Sequence, residues 1–231
     1  MMLNDGLIDI QPLGRVESLA SRAATTLREA IVSGAIPTGT DISVPRLARL
    51  CGVSVTPVRE AVIHLAEAGL VTVHDRGVRI TAPTRDALIA AFEVREAVEG
   101  MTARLAAQRT TGPLADDVRE LARRSVDAAQ GDDVGEFRLL DSQFHEAVIR
   151  LAASPQLARY ARNALDLSQT LRNIRPAQQV FQADSAHRHI EVADAIARGD
   201  ADAAEEFMRL HVREVLAHML DTMTGEDGES R

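Results

Sequence analysis

The chain has 231 residues, 45% of them apolar, a formal net charge of −8 and one cysteine, Cys51. This length gives one large or two ordinary domains with a sizeable core, and the lack of any run of about 18 apolar residues excludes a helical membrane span. A lone cysteine excludes an internal disulfide framework, and the acidic balance excludes wholesale coating of nucleic acid.

In chain order, residues 1–15 carry no periodic pattern and read as a loose arm. Their opening, MMLNDGLIDI, has neither the basic start nor the apolar core of a signal peptide. Over residues 18–33, Leu19, Ala23, Leu27 and Ile31 recur at four-residue spacing and predict a first helix, stopped by Gly34. Pro37 and Gly39 mark a turn. Ser43 caps a short helix reaching 46–51, with Leu47 and Leu50 inward, and Gly52 turns the chain. Ser54 and Thr56 suit the start of the next helix, and Pro57 its first turn. Val58, Ala61, Val62 and Leu65 form its apolar face until Gly69. Alternating residues at 70–73 and 78–81 then predict two strands around a turn at 74–77.

Two short helices joined by a tight turn, the second opening with small polar residues, make a helix-turn-helix, and a hairpin directly behind it is a wing. One recognition helix covers only a half-site, so the expected partner is a palindromic double-stranded DNA site read by a homodimer. Ser54, Thr56 and Arg59 are expected at the major groove or its phosphates, Arg76 at the backbone or minor groove, and Arg46 and Arg49 close by. Through residue 84 eight Arg balance eight acids, so this part can hold phosphate locally; the remainder carries 18 Arg and 26 acids and would be repelled by DNA. The words LREAIVSGAI, RLARLCGVSVTPVREAV, AGLV and RGVRIT resemble, in order and spacing, the GntR family of bacterial transcription regulators. The chain departs from that family at Val55, where Arg is usual, at Val44, where Glu is typical, and at Pro45, where some members have Arg. These departures imply weaker contact with DNA or a different base preference.

Residues 82–84 form a short boundary, beyond which no strand pattern occurs. Six helices are expected at 86–109, 113–130, 133–152, 155–174, 177–198 and 200–222. The breaks fall at Gly112-Pro113, Gly131-Asp132, Ser154-Pro155, Pro176 and Gly199-Asp200. Helices of similar length on short loops imply an antiparallel bundle. The fold class is therefore mainly α: a winged helix-turn-helix domain over 1–84 and an all-α antiparallel helical bundle over 85–231, with a loose tail at 223–231.

On the first bundle helix, Leu88, Phe92, Arg95, Glu99 and Thr102 share one stripe, beside a second stripe of Val94, Val98, Met101 and Leu105. A buried Arg demands a partner. Either Arg95 pairs with Glu99, or it faces a cavity and binds a ligand carboxylate. Further on, Asp141 and His145 are four apart on one helix face, His189 lies in line with Val192 and Ile196, and His211 sits between Phe207 and Val215. Singly, each reads as a satisfied core or surface group. Together, a carboxylate and three imidazoles from three helices suit one divalent metal ion per chain, such as zinc, nickel or manganese.

The words LDSQFHEAV and HIEVADAIARGDADAAEEFMRLHV resemble the metal-binding FCD domain carried by the FadR subfamily of GntR regulators. VREAVEGMTARLAA, around Arg95 and Glu99, is similar to that domain's first helix, and six helices look closer to its VanR-type branch. The resemblance spans about residues 19–222. His187 and His218 fall off the matching positions and read as bystanders, as do the solvent-facing His64 and His74. The resemblance implies a ligand-responsive transcription regulator, a repressor released from its operator when a small carboxylate metabolite binds at the metal beside Arg95, and the single Cys51 suits a reducing cytoplasm. The residues alone leave an alternative, a metal-dependent enzyme acting on a small organic acid, because such a site has open positions where water is activated.

Overall fold

The structure is a computed structural model, and it describes residues 18–82, 84–110, 112–131, 133–172 and 179–226. Helix α1 (Leu19–Val32) starts where Ser18 Oγ accepts from the Ser21 amide, and it buries Ala20, Ala23, Leu27 and Ile31. Helix α2 (Val44–Cys51) ends on Gly52, whose left-handed φ of 67° lets its amide close back on Ala48 and Arg49. Helix α3 (Val55–Glu67) buries the expected face of Val58, Ala61, Val62 and Leu65. Neither Ser43 nor Ser54, each at an N-cap, makes a side-chain cap bond. Leu50, expected inward, is 65% exposed. The inward face of this short helix is set by Leu47 and Ala48, and Leu50 lies beyond its edge.

The wing is β2 (Val71–His74) paired antiparallel with β3 (Gly77–Ile80), each shifted by one residue from the expected limits. A strand not anticipated from the sequence, β1 (Asp41–Ile42), pairs with the other edge of β3 and completes the order β1-β3-β2. Two residues are too few to show any alternation, which is why the pattern missed it. Its side chains hold the wing in place. Arg79 Nε and Nη2 lie 3.0 and 2.6 Å from the two oxygens of Asp41, and His74 lies 3.1 Å from the same carboxylate.

The bundle consists of α4 (Arg85–Arg109), α5 (Pro113–Gln130), α6 (Val134–Leu151), α7 (Pro155–Arg172), α8 (Gln179–Arg198) and α9 (Ala201–Glu226). Thr84 caps α4 at the Ala87 amide, and Asp133 caps α6 at the amides of Gly135 and Glu136. Helix α4 lies against α9 and α7, and α5 against α8 and α6. Leu88, Phe92, Phe144, Val192, Ile196, Met208 and Val212 belong to the apolar core between these helices. A separate core, around Leu27, Val58, Val62, Leu70 and Val78, holds the N-terminal elements together, and Leu167 of α7 packs against both.

Of the two stripes on α4, that of Leu88, Phe92, Arg95, Glu99 and Thr102 is buried, whereas Val94 and Met101 face outward. Helix α9 runs on to Glu226, past the stop expected at residue 222, so 223–226 are helical rather than loose. The proposed arm at 1–15, the Pro176 break and residues 227–231 lie outside the described residues. No helix among the described residues is long and apolar enough to cross a membrane.

Candidate metal centre and DNA interface

Helix α6 presents Phe137, Leu140, Phe144 and Val148 to the core, and the same inward surface carries Asp141 and His145. His189 enters from α8 and His211 from α9, each beside buried valines. All four residues are at most 2% exposed, and one ligand atom from each lies within 4.8 Å of every other. His145 Nε2 stands 3.2 Å from His211 Nε2 and 3.9 Å from Asp141 Oδ1, while His189 Nε2 is 3.6 Å from that same oxygen. The structure thus brings together the four residues that the sequence had placed on three separate helices.

Neighbours of two of these imidazoles orient them toward the cluster. Ser125 donates its hydroxyl proton to the Ala122 carbonyl at 2.7 Å, so its oxygen accepts from His189 Nδ1, 3.2 Å away. That leaves the lone pair of His189 on Nε2, toward the cluster. His145 Nδ1 lies 2.7 Å from Glu99 Oε2, which turns Nε2 of that ring toward the cluster. Phe144 stacks on the His189 ring at 4.1 Å and 19°, locking its plane. A carboxylate and three imidazoles, with neighbouring polar groups orienting two of the rings, are the chemistry of a divalent metal site. Two nitrogens at roughly 2.0–2.1 Å from one zinc ion stand about 3.3 Å apart at a tetrahedral angle. The His145–His211 separation fits this value, and the wider separations, up to 4.8 Å, call for the ligands to draw inward.

Arg95 is completely buried. Its Nε lies 2.5 Å from Glu99 Oε1, its Nη2 3.4 Å from Oε2, and its Nη1 donates to Ser168 Oγ at 3.1 Å, while the guanidinium lies over the Phe92 ring. Burial alone would push the Glu99 carboxyl up. The Arg95 charge, aided by His145, overcomes it and holds that carboxyl at about 2. A line Arg95–Glu99–His145 therefore runs from α4 into the cluster. Sequence reasoning had Glu99 only as a partner of Arg95, and it missed Ser125 and Ser168. Ser125 was readable in principle, since it falls on the buried face of α5 with Ala122 and Ala129. The bystander histidines lie elsewhere: His187 Nδ1 faces the Ala183 carbonyl, His218 stacks on Phe181, and His64 is exposed.

Two cavities border the cluster. One, of about 560 Å³, opens between α1, α6 and α7 and has Asp141 in its wall; the other, of about 500 Å³, lies between α8 and α9 and touches His211. Asp166 lines the first and is bound to Arg28 of α1 at 2.6 Å. Its burial pushes the carboxyl up in spite of that guanidinium.

At the other end of the chain, Arg46, Arg49, Ser54, Thr56, Arg59 and Arg76 are all exposed, on α2, on α3 and its cap, and on the turn of the wing. Val55, the first residue of α3, is half-buried and packs against the N-terminal core. The position where an arginine would be usual thus contributes to packing.

The family of bacterial regulatory proteins called gntR matches residues 19–80, and the FCD domain matches residues 90–214. A probable D-xylose utilization operon transcriptional repressor of Paenarthrobacter nicotinovorans is 30% identical over 212 residues, 91% of this chain and 92% of that protein. An HTH-type transcriptional regulator in an unstable DNA locus of Streptomyces ambofaciens is 32% identical over 200 residues, 82% of this chain and 80% of that protein. Among solved structures, E. coli McbR/YncC superposes with a TM-score of 0.76 at 17% identity, covering 90% of this chain and 100% of that one. A GntR regulator from Rhodococcus sp. RHA1 gives 0.66 at 24% identity, covering 87% and 97%. These two likenesses concern the fold.

Proposed function

Since the chain belongs to the gntR family of bacterial regulatory proteins and carries an FCD domain, it is a ligand-responsive DNA-binding transcription regulator, and we propose that it is a homodimeric repressor whose bundle senses a small carboxylate through a divalent metal. Family membership leaves no ground for the metal-dependent enzyme that the residues alone allowed. In this reading residues 1–84 bind DNA and residues 85–231 bind metal and effector, within the cytoplasm where bacterial DNA lies. The observation that carries it is the close approach of ring nitrogens of His145, His189 and His211 to Asp141 around one buried point. Asp141, His145, His189 and His211 would hold the ion. Bound there, it would offer open coordination positions to a carboxylate. The chain's own groups orient the ligands: Glu99 and Ser125 hold the outer nitrogens of His145 and His189, and Arg95 holds Glu99. Arg95 acts on the effector through this line, bracing the site that receives the carboxylate.

For DNA, Thr56, Ser54 and Arg59 would reach the major groove and its phosphates, Arg76 the backbone or minor groove, and Arg46 and Arg49 the flanking phosphates. Two chains are needed for the two half-sites of a palindrome. The test is elemental analysis of untagged protein together with selection of bound sequences from a random DNA pool. The expected result is about one metal ion per chain, lost in His211→Ala, and a palindromic site that Arg59→Ala binds more weakly. Metal well below one per chain after dialysis against zinc, nickel or manganese, or full metal content in His211→Ala, rejects the metal site. Wild-type DNA affinity in Arg59→Ala rejects the assignment of α3.

A further inference from the structure

The solvent face of the wing carries a charged cluster centred on Asp41. This residue of β1 stands directly opposite Arg79 of β3, and Arg79 points away from the core that its neighbours Val78 and Ile80 fill. The Asp41 carboxylate accepts from Arg79 Nε at 3.0 Å and from Nη2 at 2.6 Å, one bond to each oxygen. His74 takes the Arg76 amide on Nδ1 at 3.3 Å, so the proton of its neutral ring sits on Nε2, 3.1 Å from Asp41 Oδ1. Ser43 and Arg76 complete a cavity of about 380 Å³ around this carboxylate. We propose that the cavity is a seat for a DNA backbone phosphate, built on Arg79, and that Asp41 occupies it as an internal stand-in for that phosphate. Duplex DNA must displace Asp41 to reach Arg79, so Asp41 limits the grip of the protein on DNA. The inference rests on the DNA-binding reading above and adds one contact, Arg79, and one residue that opposes it.

The donor set is the first argument. A guanidinium that offers two N–H groups as a fork suits phosphate as well as carboxylate. Beside it stand the His74 N–H, the exposed Arg76 and the hydroxyl of Ser43, which makes no cap bond at the start of α2. Among the described residues lining the cavity, Asp41 is the one acid. Take it away, and what remains is the lining of an anion site.

Place is the second argument. The cavity lies between the turn of the wing, with Arg76, and the start of α2, the helix that carries Arg46 and Arg49. Both edges therefore belong to elements expected at the DNA backbone.

The third argument is that the exchange is easy. Both side chains of the Asp41–Arg79 pair are about half exposed, a setting in which an ion pair adds little to stability. Strand β1 does not depend on that pair alone. Its backbone pairs with β3, and the Ile42 carbonyl lies so close to Gly77 that a Cβ there would meet it at 2.5 Å. The carboxylate can swing aside while the strand stays. It keeps its charge at neutral pH when it does so, and stands as an anion beside the phosphates. That repulsion, added to the lost bonds with Arg79, is what DNA must overcome.

The test is a fluorescence-anisotropy titration of the full-length protein on a short random-sequence duplex over a series of salt concentrations. Wild type is compared with Asp41→Asn, Arg79→Gln and the double variant. Asparagine keeps the shape of Asp41 and removes its charge. Asp41→Asn should bind about threefold more tightly, and the slope of log affinity against log salt should steepen by about 0.9, the value of one further phosphate contact. Arg79→Gln should weaken binding, and in the double variant both the gain and the steeper slope should vanish. A clasp that only steadied the wing would act in the other direction, so Asp41→Asn binding no more tightly than wild type overturns the proposal. A gain that survives in the double variant also overturns it, because removal of a charge repelled by DNA would then suffice. So does Arg79→Gln with wild-type affinity. No binding by wild type at any salt defeats the DNA-binding reading and the seat with it, whereas any of the other three results defeats the seat alone.

Discussion

Replacing Arg95 by Met keeps most of the buried stem of the side chain but removes the guanidinium that faces both oxygens of Glu99. Glu99 is itself only 1% exposed, so water cannot take over the lost contacts. The folded protein holds this carboxyl at about 2 against an ordinary 4.5. That difference amounts to about 3 kcal/mol at roughly 1.4 kcal/mol per pH unit. His145 provides part of it, but stranding one member of a buried ion pair typically costs about 3–5 kcal/mol. We therefore expect Arg95→Met to lose about 3 kcal/mol of stability in the absence of both metal and effector. Urea unfolding followed by far-ultraviolet circular dichroism, in chelator at neutral pH, measures it. A further change of Glu99→Gln should recover part of the loss, since no uncompensated charge then remains. An arginine that served only an incoming ligand would leave the unliganded protein within about 0.5 kcal/mol of wild type. That result, or a double variant whose losses simply add, would refute the brace from α4 to His145.

Three other expectations concern different parts of the molecule. Gly77 has φ +145°, and a Cβ there would stand 2.5 Å from the Ile42 carbonyl oxygen, so Gly77→Ala should cost about 1–3 kcal/mol and separate β1 from the wing; unfolding curves indistinguishable from wild type would contradict it. Val55→Arg should steepen the salt dependence of DNA binding by about one phosphate contact, while losing about 1 kcal/mol of stability through the packing that Val55 now makes. An unchanged salt slope means the position faces away from the phosphates. Adding zinc to chelator-treated protein at about a hundred times its dissociation constant should raise stability by roughly 2.7 kcal/mol, and His189→Ala should remove that rise in a thermal melt; an equal rise in both would exclude His189 as a ligand.

The parts legible in the sequence were those written as short periods. The face of α3 and the four-residue step from Asp141 to His145 follow from helical spacing, and the structure keeps both. The wing was readable as alternation around a turn. The N-terminal family words and the two histidine words gave the order of the parts, and the matches at 19–80 and 90–214 fall on those words. What stayed hidden depends on contact between distant segments. Nothing in the spacing of Asp166 names Arg28, 138 residues away, as its partner. Glu99 was visible beside Arg95 along one helix, but its approach to His145 needs α4 and α6 packed together. The same holds for Ser125 and His189 across α5 and α8. Leu50 failed for a different reason: an eight-residue helix has room for few inward positions, and periodicity does not say where that face ends.

Leu167 packs against both hydrophobic cores, and Gly69, at the turn into the wing, brings its backbone close to that leucine: a Cβ there would stand 3.4 Å from Leu167 Cδ2. A side chain shared in this way makes the melting of one core a disturbance of the other. Heat or denaturant should therefore find one cooperative transition where a flexibly joined pair of domains would give two. It also bears on recombination. A DNA-reading head transplanted onto another bundle arrives with a socket beside Gly69 cut for this leucine, and the new host must fill it. Hybrids that bring a different residue to that place would start with a void or a clash at the joint, so an exchange of heads and bundles must carry this side chain along with the other contacts of the joint.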